Sequence, residues 1–296
     1  MPESYLGRRF RHLKQTQNPD GGWGYFEGKR SWLEPTAYSL LALHEQAGTP
    51  AWEKGWSLIR SWQRDDGAWR PSAQVEDAHW STALAVTLHC IRGVYDAQFR
   101  KGVDWLLDSS GEEARLMSRI AAYFSGESPT GHSLEFRGWP WRPDTSSWIE
   151  PTAHSLVALK KAAPQISGHL LKRRVVLGEG MILRRRCEDG GWNYGSKAAL
   201  GIDLPSYPET TALALLGLQG SPDAELGPAL ARARNLYNEP QSPMAKGLLK
   251  LSLLVYGNTF PEEPSSDAGR DVLVTALEVI TSSPGTHPLL RPVGAA

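Results

Sequence analysis

Three glutamates occupy the same place in three copies of a short sequence pattern. Glu34 and Glu150 are each followed by Pro-Thr-Ala, and Glu209 is followed by Thr-Thr-Ala. A neutral carboxyl group can act as a general acid. The positive end of a helix dipole instead favours the ionised carboxylate, which stabilises the helix start and is a poor acid. The residues alone therefore leave two roles open for each glutamate.

A second group of reactive side chains lies in the sequence EDAHW at 76–80. Asp77 and His79 are residue types that bind zinc. Because residues i and i+2 do not face each other on a helix, the pair can share a metal only at an irregular first turn. We therefore expect that the protein needs no cofactor, and a zinc ion bound by Asp77 and His79 is the alternative.

Tryptophan is abundant, with twelve among 296 residues. Trp32 and Trp148 each precede a repeated glutamate by two positions, and Trp80 falls in a predicted inner helix. Aromatic faces in a cavity can pack against an apolar ligand and stabilise a positive charge. We expect these three tryptophans to line a cavity, with plain core packing as the alternative. Tyr38, His154 and Tyr207, which lie in or beside the same segments, complete the set of expected ligand contacts.

Internal repeats indicate which elements position these residues. The spacing Q-x-x-x-G-x-W occurs at 17–23 and 63–69, a third copy at 186–192 keeps Asp-Gly-x-Trp, and a degenerate fourth lies around 138–141. A second pattern follows, because SWLEPTAYSLLAL at 31–43 recurs 116 residues later as SWIEPTAHSLVAL, with ten of thirteen positions identical. Looser copies lie at 76–86 and 208–218. We expect the loop tryptophans Trp23, Trp69 and Trp192 to be structural.

The repeating unit predicts a helix, a Gly/Trp loop and a second helix. Proline after Glu34 and Glu150 suits the first helical position, where its missing N–H costs nothing. The segments that follow are small or apolar on all sides, whereas those at 51–64 and 98–108 are amphipathic. This alternation predicts an all-α fold, a single (α/α)5–6 toroid of concentric inner and outer helices, with ten to twelve helices and no strands. We expect the toroid to span 1–282 and a flexible tail to span 283–296.

Composition excludes several classes of protein. Lys plus Arg and Asp plus Glu both number 32, so the basic excess of a nucleic-acid-binding protein is absent. No apolar run is long enough for a membrane span. Two cysteines do not make a disulfide framework, and no apolar stretch follows Arg8 and Arg9 as a signal peptide requires. We therefore expect a cytoplasmic protein.

With these loops and acidic helix starts, the chain resembles squalene–hopene cyclase, related class II terpene cyclases and protein prenyltransferase β subunits. The resemblance covers roughly 4–218 and implies an α/α toroid whose central cavity holds an isoprenoid chain. In the cyclases, a D-x-D-D-T-A motif supplies the acid that protonates an alkene or epoxide. Tyr207-Pro-Glu209-Thr-Thr-Ala aligns with it and places Glu209 on the central acid, although Thr210 replaces the paired aspartate.

The same resemblance implies further candidates. Glu34 and Glu150 fall on the acid position, and Asp77 is the next candidate if Glu209 is not the acid. In the prenyltransferase β subunits an Asp-x-Cys and a later His bind zinc. Asp77 and His79 resemble that pair, but the position of the third ligand is Pro151, with His154 one turn away.

These observations predict an isoprenoid-handling enzyme resembling a class II terpene cyclase, with a polyprenyl or squalene-like chain in an aromatic cavity. An apolar cavity would favour a neutral Glu209, shielded from water by Tyr207. The alternatives are a non-catalytic binding toroid that has lost the acid motif, or a zinc-dependent prenyltransferase-like protein that needs a helical partner subunit.

Overall fold

The computed structural model describes residues 4–114, 137–166, 168–196, 198–199, 202–221, 225–261 and 271–282. These residues form eleven α-helices: α1 Tyr5–Gln15, α2 Leu33–Ala42, α3 Pro50–Ser61, α4 Thr82–Arg92, α5 Ala97–Asp108, α6 Ile149–Ala162, α7 His169–Arg184, α8 Pro208–Gly217, α9 Gly227–Asn238, α10 Pro243–Val255 and α11 Val272–Ser282. Two 3-10 turns, His44–Gln46 and Glu112–Ala114, complete the helical structure. The predicted all-α class and the predicted number of helices are confirmed.

Six inner helices form a closed ring. In the order α2, α4, α6, α8, α10 and α11, each packs against the next, and α11 packs against α2. Almost every residue of α2 and α6 is buried, as their small and apolar composition requires. The outer layer consists of α1, α3, α5, α7 and α9, each on one or two inner helices. The described part of the chain is therefore an α/α toroid with two concentric layers.

Four loop tryptophans, one in each of four repeats, attach the layers to each other. Trp23, Trp69, Trp139 and Trp192 are all buried. Each donates its backbone N–H to a threonine hydroxyl of the following inner helix, at 2.8–3.0 Å: Thr36, Thr82, Thr152 and Thr211. Each indole N–H donates to a backbone carbonyl of the preceding outer helix: Leu13, Ile59, Leu106 and Ile182. These tryptophans are structural. Trp139 belongs to the degenerate copy around 138–141, which is the third of the four repeats in chain order.

Hydrogen bonds between repeats close the ring at one end. The backbone N–H at or just before the start of an inner helix donates to the carbonyl of the residue two positions after a loop tryptophan. The four pairs are Leu33 to Pro71, Trp80 to Trp141, Ile149 to Tyr194 and Val272 to Tyr25. Since the last pair joins α11 to the first repeat, the same contact that links neighbouring repeats also closes the ring. We call this end, where the inner helices begin, the rim.

The third of these repeats carries an insertion between its acidic loop residue and its tryptophan. In the first and fourth of them, Asp20 and Asp189 accept hydrogen bonds from Ser31 and Ser206. Glu113, which lies 26 residues before Trp139, takes this place and accepts from the backbone and hydroxyl of Ser147. Arg185 pairs with Glu113 at 3.7 Å and donates to the Ser147 carbonyl. A buried acid–serine contact is thus retained across the insertion.

Some local predictions need correction. Pro35 and Pro151 are the third helical residues, not the first, because α2 and α6 begin at the preceding Leu33 and Ile149. The prediction of no strands is wrong, since loop segments pair as two short hairpins: β1 Trp139–Pro140 with β2 Ser147–Trp148, and β3 Ala198–Ala199 with β4 Ile202–Asp203. The expected tail at 283–296 lies outside the described residues. Among those described, no helix has the length and apolar character needed to cross a membrane.

Candidate functional site

The three repeated glutamates meet at the rim. Glu34, Glu150 and Glu209 are the second residues of α2, α6 and α8. Glu150 interacts electrostatically with both of the others, although α2 and α6 are separated by α4 in the ring. The toroid therefore brings together three carboxyl groups that lie far apart in the sequence. None of the three forms a salt bridge with any residue in the described ranges.

Glu34 has a hydrogen-bonding partner that the sequence did not reveal. The Tyr25 hydroxyl donates to Glu34 Oε2 at 2.5 Å. Burial raises the pKa of Glu34, and this hydrogen bond acts against the rise because it stabilises the carboxylate. The nearby Glu34 charge, together with burial, raises the pKa of Tyr25, so that this phenol stays protonated as a donor. Tyr25 therefore positions the Glu34 carboxyl group.

Glu150 is held in its neutral form. Burial, followed by the like charges of Glu34 and Glu209, raises the pKa of Glu150 to about 8. The residue as a whole is half-buried. At Glu150, desolvation and repulsion act against the helix dipole, which by itself favours the ionised carboxylate. The raised pKa favours the protonated form of this carboxyl group at neutral pH.

A cluster of aromatic rings includes Tyr38 and His154, each one helical turn after a rim glutamate. The Trp80 ring lies 4.9 Å from the ring of His154, and Trp141 meets Trp80 edge-on at 5.4 Å. Tyr38 completes the cluster at 6.5 Å from His154. Burial lowers the pKa of His154 to about 4, so its imidazole is neutral at pH 7. The cluster combines large apolar faces with polar edges that carry no charge.

Trp80 lies in the turn before α4, so the prediction that it falls inside an inner helix is wrong. The Thr82 N–H bonds to the carbonyl of His79, three residues back, whereas Thr36 bonds to Trp32, four residues back. The first turn of α4 is therefore one residue shorter than that of α2. The hydrogen bond from Trp80 to Trp141 is equivalent to those made by Leu33 and Ile149. The next residue, where the other two repeats have Glu34 and Glu150, is Ser81.

Three of the aromatic residues predicted to line the cavity lie elsewhere. Trp148 and Tyr207 are 37% and 46% exposed, because the loop residues that precede α6 and α8 pair with their own loop tryptophans at the outside of the rim. Tyr207 packs against Tyr194 at 5.4 Å. Trp32 lies beside Tyr25, at 6.3 Å, in the same outer position. None of these three rings lines the cavity that the inner helices enclose, so the prediction that Trp32, Trp148 and Tyr207 line it is corrected.

Asp77 and His79 do not join the carboxyl group cluster. Asp77 is exposed, and His79 Nδ1 lies 3.2 Å from the Ser81 hydroxyl. Burial lowers the pKa of His79 to about 4. Among the described residues, no three His, Cys, Asp or Glu side chains lie close enough together to hold a metal ion. His154, considered above as a third ligand, packs on Trp80 instead.

An axial cavity continues from the aromatic cluster along the centre of the ring. Residues from α2, α4, α6, α8 and α10 line it: Tyr38, Leu41, Leu84, Thr87, Ala153, His154, Val157, Leu213, Leu216, Gln219 and Leu251. Its total empty space is about 440 Å³, but the centre of a water molecule can occupy only about 20 Å³ of it. That is room for about one water molecule. The axial cavity is thus a narrow, mainly apolar slot, and a long chain can enter only if side chains move.

Several residues of the site were not identified from the sequence. Tyr25, Trp141 and Tyr194 each follow a loop tryptophan by two positions, and the fourth residue of this kind is Pro71. An aromatic residue at this position in three of four repeats was a signal that could have found them. Gln219 and Thr87 had no such signal, because nothing in their local sequence predicts that they face the ring axis.

Comparisons with known proteins show the fold. No family model matches the chain. A family 8 endoglucanase from Klebsiella pneumoniae superimposes with a TM-score of 0.62 at 15% identity, covering 93% of this chain and 98% of the endoglucanase. The type II terpene cyclase MstE from Scytonema gives 0.53 at 16% identity, over 93% of this chain and 76% of the cyclase. The ent-copalyl diphosphate synthase from Streptomyces platensis gives 0.52 at 17% identity, over 91% and 44%.

Two curated proteins are similar in sequence over shorter stretches. An uncharacterised protein of Bradyrhizobium diazoefficiens is 30% identical over 121 residues, which are 40% of this chain and 22% of that protein. An uncharacterised protein of Sinorhizobium fredii is 36% identical over 80 residues, which are 25% of this chain and 15% of that protein. The matches span about a fifth or less of these relatives. The structural neighbours alone show the fold, which is the α/α toroid that terpene cyclases and family 8 endoglucanases share.

Proposed function

We propose that this protein binds an isoprenoid chain along the axis of the toroid and protonates it with Glu150. The repeats that resemble those of class II terpene cyclases and the fold shared with MstE support this function. The observation that carries it is the position of Glu150 at the start of α6, near Glu34 and Glu209, where burial and these like charges raise its pKa to about 8. A neutral carboxyl group beside an apolar slot is what alkene protonation requires.

In the proposed reaction, the Glu150 proton is transferred to an alkene carbon of the bound chain. The adjacent carbon becomes a carbocation, and the electron pair of a second alkene forms a carbon–carbon bond to it. Trp80 and Tyr38 are the nearby rings that stabilise the positive charge. Loss of a proton from the cyclised cation to water ends the reaction, and Glu150 regains a proton from solvent. The product is an isomer of the substrate.

The other rim carboxyl groups have supporting roles in this proposal. Glu209, which the sequence favours as the acid, instead raises the pKa of Glu150 from a neighbouring helix start. Glu34 also raises the pKa of Glu150, and the Tyr25 hydroxyl group positions it. Asp77 has no role, since it is exposed and outside the cluster.

The test is turnover of a panel of polyprenes, including squalene and prenylated arenes, followed by mass spectrometry for cyclised isomers. Glu150→Gln keeps the side-chain shape and removes the acid, so it should abolish turnover while the chain still binds. Glu209→Gln should slow turnover without abolishing it. Glu188→Gln, at an exposed position, is the matched control and should leave the rate unchanged.

Two results would contradict this assignment. If Glu209→Gln is inactive and Glu150→Gln is fully active, Glu209 is the acid. If the wild-type protein hydrolyses a β-1,4-glucan and Glu150→Gln does not, the rim carboxyl groups serve glycoside hydrolysis instead.

One observation favours a second function, that of a non-catalytic binding toroid. The axial slot has room for about one water molecule, which is far below the usual size of a ligand pocket. The acid motif of the cyclases is also incomplete in every repeat. Binding of polyprenes without conversion of any of them would favour this function.

A further inference from the structure

We infer that the deep end of the axial cavity binds the hydroxyl group of a neutral prenyl alcohol, which donates a hydrogen bond to Gln219 Oε1. The inference rests on the proposed function, because it names the ligand class of the same cavity. It concerns the end of the cavity opposite the rim, where the proposed reaction uses no residue.

Gln219 is a fixed and unsatisfied acceptor. It lies two residues beyond the end of α8, lines the axial cavity and is only 3% exposed. Its Nε2 donates to the Leu216 carbonyl at 2.8 Å, which fixes the orientation of the amide. Its Oε1 is buried and has no hydrogen-bond donor among the residues that the structure describes. A buried acceptor without a partner costs free energy, which a ligand donor can recover.

The backbone around Gln219 is held as firmly as its side chain. Lys160 Nζ donates to the carbonyls of Gly217 and Gln219, at 2.8 and 2.6 Å. The same ammonium group forms a buried ion pair with Glu179 at 2.5 Å. Since Lys160 is fully engaged by these three contacts, it anchors the end of α8. Gln219 is therefore preorganised to receive a donor, and this lowers the entropic cost of binding.

The walls of the cavity exclude charged ligands. Its lining contains no Asp, Glu, Lys or Arg. Burial keeps the pKa of His154 near 4 and raises that of the Tyr38 phenol, so both side chains are neutral at pH 7. A diphosphate group at the deep end would be buried without a cation, which is strongly unfavourable. A hydroxyl group needs only the one acceptor that Gln219 provides.

The two ends of the cavity impose a direction on the ligand. Eight helical residues separate Glu209 from Gly217 at the end of α8, so Gln219, just beyond that end, lies about 12 Å or more below the rim at about 1.5 Å per helical residue. A prenyl alcohol bound with its hydroxyl at Gln219 places its alkenes along the aromatic cluster and toward the rim carboxyl groups. Because the slot is narrow, the chain has to displace apolar side chains such as Leu84 or Leu213 as it enters.

The experiment compares ligands that differ at one group. Isothermal titration calorimetry on the whole chain measures the dissociation constants of farnesol, its methyl ether and farnesyl diphosphate. The ether keeps the chain and the oxygen but has no donor. Wild type should bind farnesol about tenfold more tightly than the ether, the ratio expected of one buried hydrogen bond, and should bind the diphosphate most weakly. Gln219→Met should bring the alcohol-to-ether ratio close to one, while Gln74→Met, at an exposed position, keeps it.

Equal affinity of wild type for the alcohol and the ether would overturn the inference, as would a tenfold preference that survives in Gln219→Met. The wild-type ligand pair decides the question even if the Gln219 variant does not fold. If polyprenes are bound and cyclised without any preference for the alcohol, the inference fails and the proposed function stands. If the alcohol preference is found without turnover, the inference holds and Glu150 is not a catalytic acid.

Discussion

The loops and the rim belong to the same repeats but differ in how strictly they are repeated. In all four loops a tryptophan makes the same two hydrogen bonds, one to a threonine hydroxyl and one to an outer-helix carbonyl. Two positions before that threonine, at the rim, the residue varies: it is a glutamate in three repeats and Trp80 in the other. The loop tryptophans hold the layers together, so substitutions there affect the fold. The rim positions differ in chemistry from one repeat to the next.

The largest expected effect concerns the loop tryptophans. Trp69→Ala removes a fully buried ring and its hydrogen bond to Ile59, so it should lower the free energy of unfolding by about 3–5 kcal/mol. Trp23→Ala should do the same. Trp148→Ala, at an exposed position on the rim, should cost about 1 kcal/mol or less. Denaturant unfolding of the three variants measures these values. Equal losses at Trp69 and Trp148 would remove the distinction between loop and rim.

A smaller effect is expected at Gly102 of α5, which has no side chain and so leaves space for the ring of Trp69. A Cβ atom at Gly102 would lie 2.6 Å from Cζ3 of Trp69. Gly102→Ala should therefore destabilise the protein by about 1–3 kcal/mol, against the gain of about 1 kcal/mol that alanine normally brings to a helix. Gly227→Ala is the control, because its Cβ meets nothing within 4 Å. Thermal unfolding compares the two, and a stabilised Gly102→Ala would mean that the contact with Trp69 is loose.

At the rim, Glu150 should affect stability through pH. In the folded state its pKa is about 8, above the usual value near 4.5. Between these two values the unfolded chain loses a proton that the folded chain keeps, so wild-type stability falls as pH rises from about 4.5 to 8. Glu150→Gln removes this loss. Its melting temperature should equal that of wild type at pH 4.5 and exceed it by a few degrees at pH 8.5.

The control for this pH effect is Glu188→Gln, which should show the same melting temperature as wild type at both values of pH. Scanning calorimetry in buffers with a small ionisation enthalpy gives both melting temperatures. A constant difference between Glu150→Gln and wild type over the whole range would show that Glu150 is ionised in the folded protein. The rim would then lack a neutral acid.

The smallest effect is expected from Tyr25→Phe, which removes the hydrogen bond to Glu34. Since this bond lowers the pKa of Glu34, the variant should show a higher pKa for that carboxyl group. Carboxyl NMR titration of a protein with 13C-labelled glutamate measures the change. Tyr194→Phe, which removes another rim hydroxyl group, should leave Glu34 unchanged. An unchanged titration in Tyr25→Phe would mean that the contact does not persist in solution.

Much of the fold could be predicted because the repeats are local. The spacing around Trp23 and Trp69, and the recurrence of the Glu-Pro-Thr-Ala segment, depend on contacts within one helix–loop–helix unit. The degenerate copy could be placed only approximately, since its tryptophan is separated from Glu113 by an insertion. Trp139 became identifiable through its bonds to Thr152 and Leu106.

The site could be predicted only in part, because its properties depend on the ring as a whole. The identity of the neutral carboxyl group depends on Glu34 and Glu209 approaching Glu150 from other repeats. The displacement of Trp80 was hidden because Trp69 and Thr82 keep the same 13-residue spacing as Trp23 and Thr36, although the first turn of α4 is one residue shorter. The narrow axial cavity results from side-chain packing across five helices, which no local pattern encodes.

The hydrogen bond between Val272 and Tyr25 has a consequence for how the protein comes apart. An open array of helical repeats has two end units with only one neighbour each, and it can unravel from those ends. Here α11 packs on α2, so the first and last repeats each have two neighbours. No unit can leave without breaking contacts on both of its sides. The first and last repeats should therefore not unfold before the others. We expect the ring to melt in one cooperative step rather than by fraying.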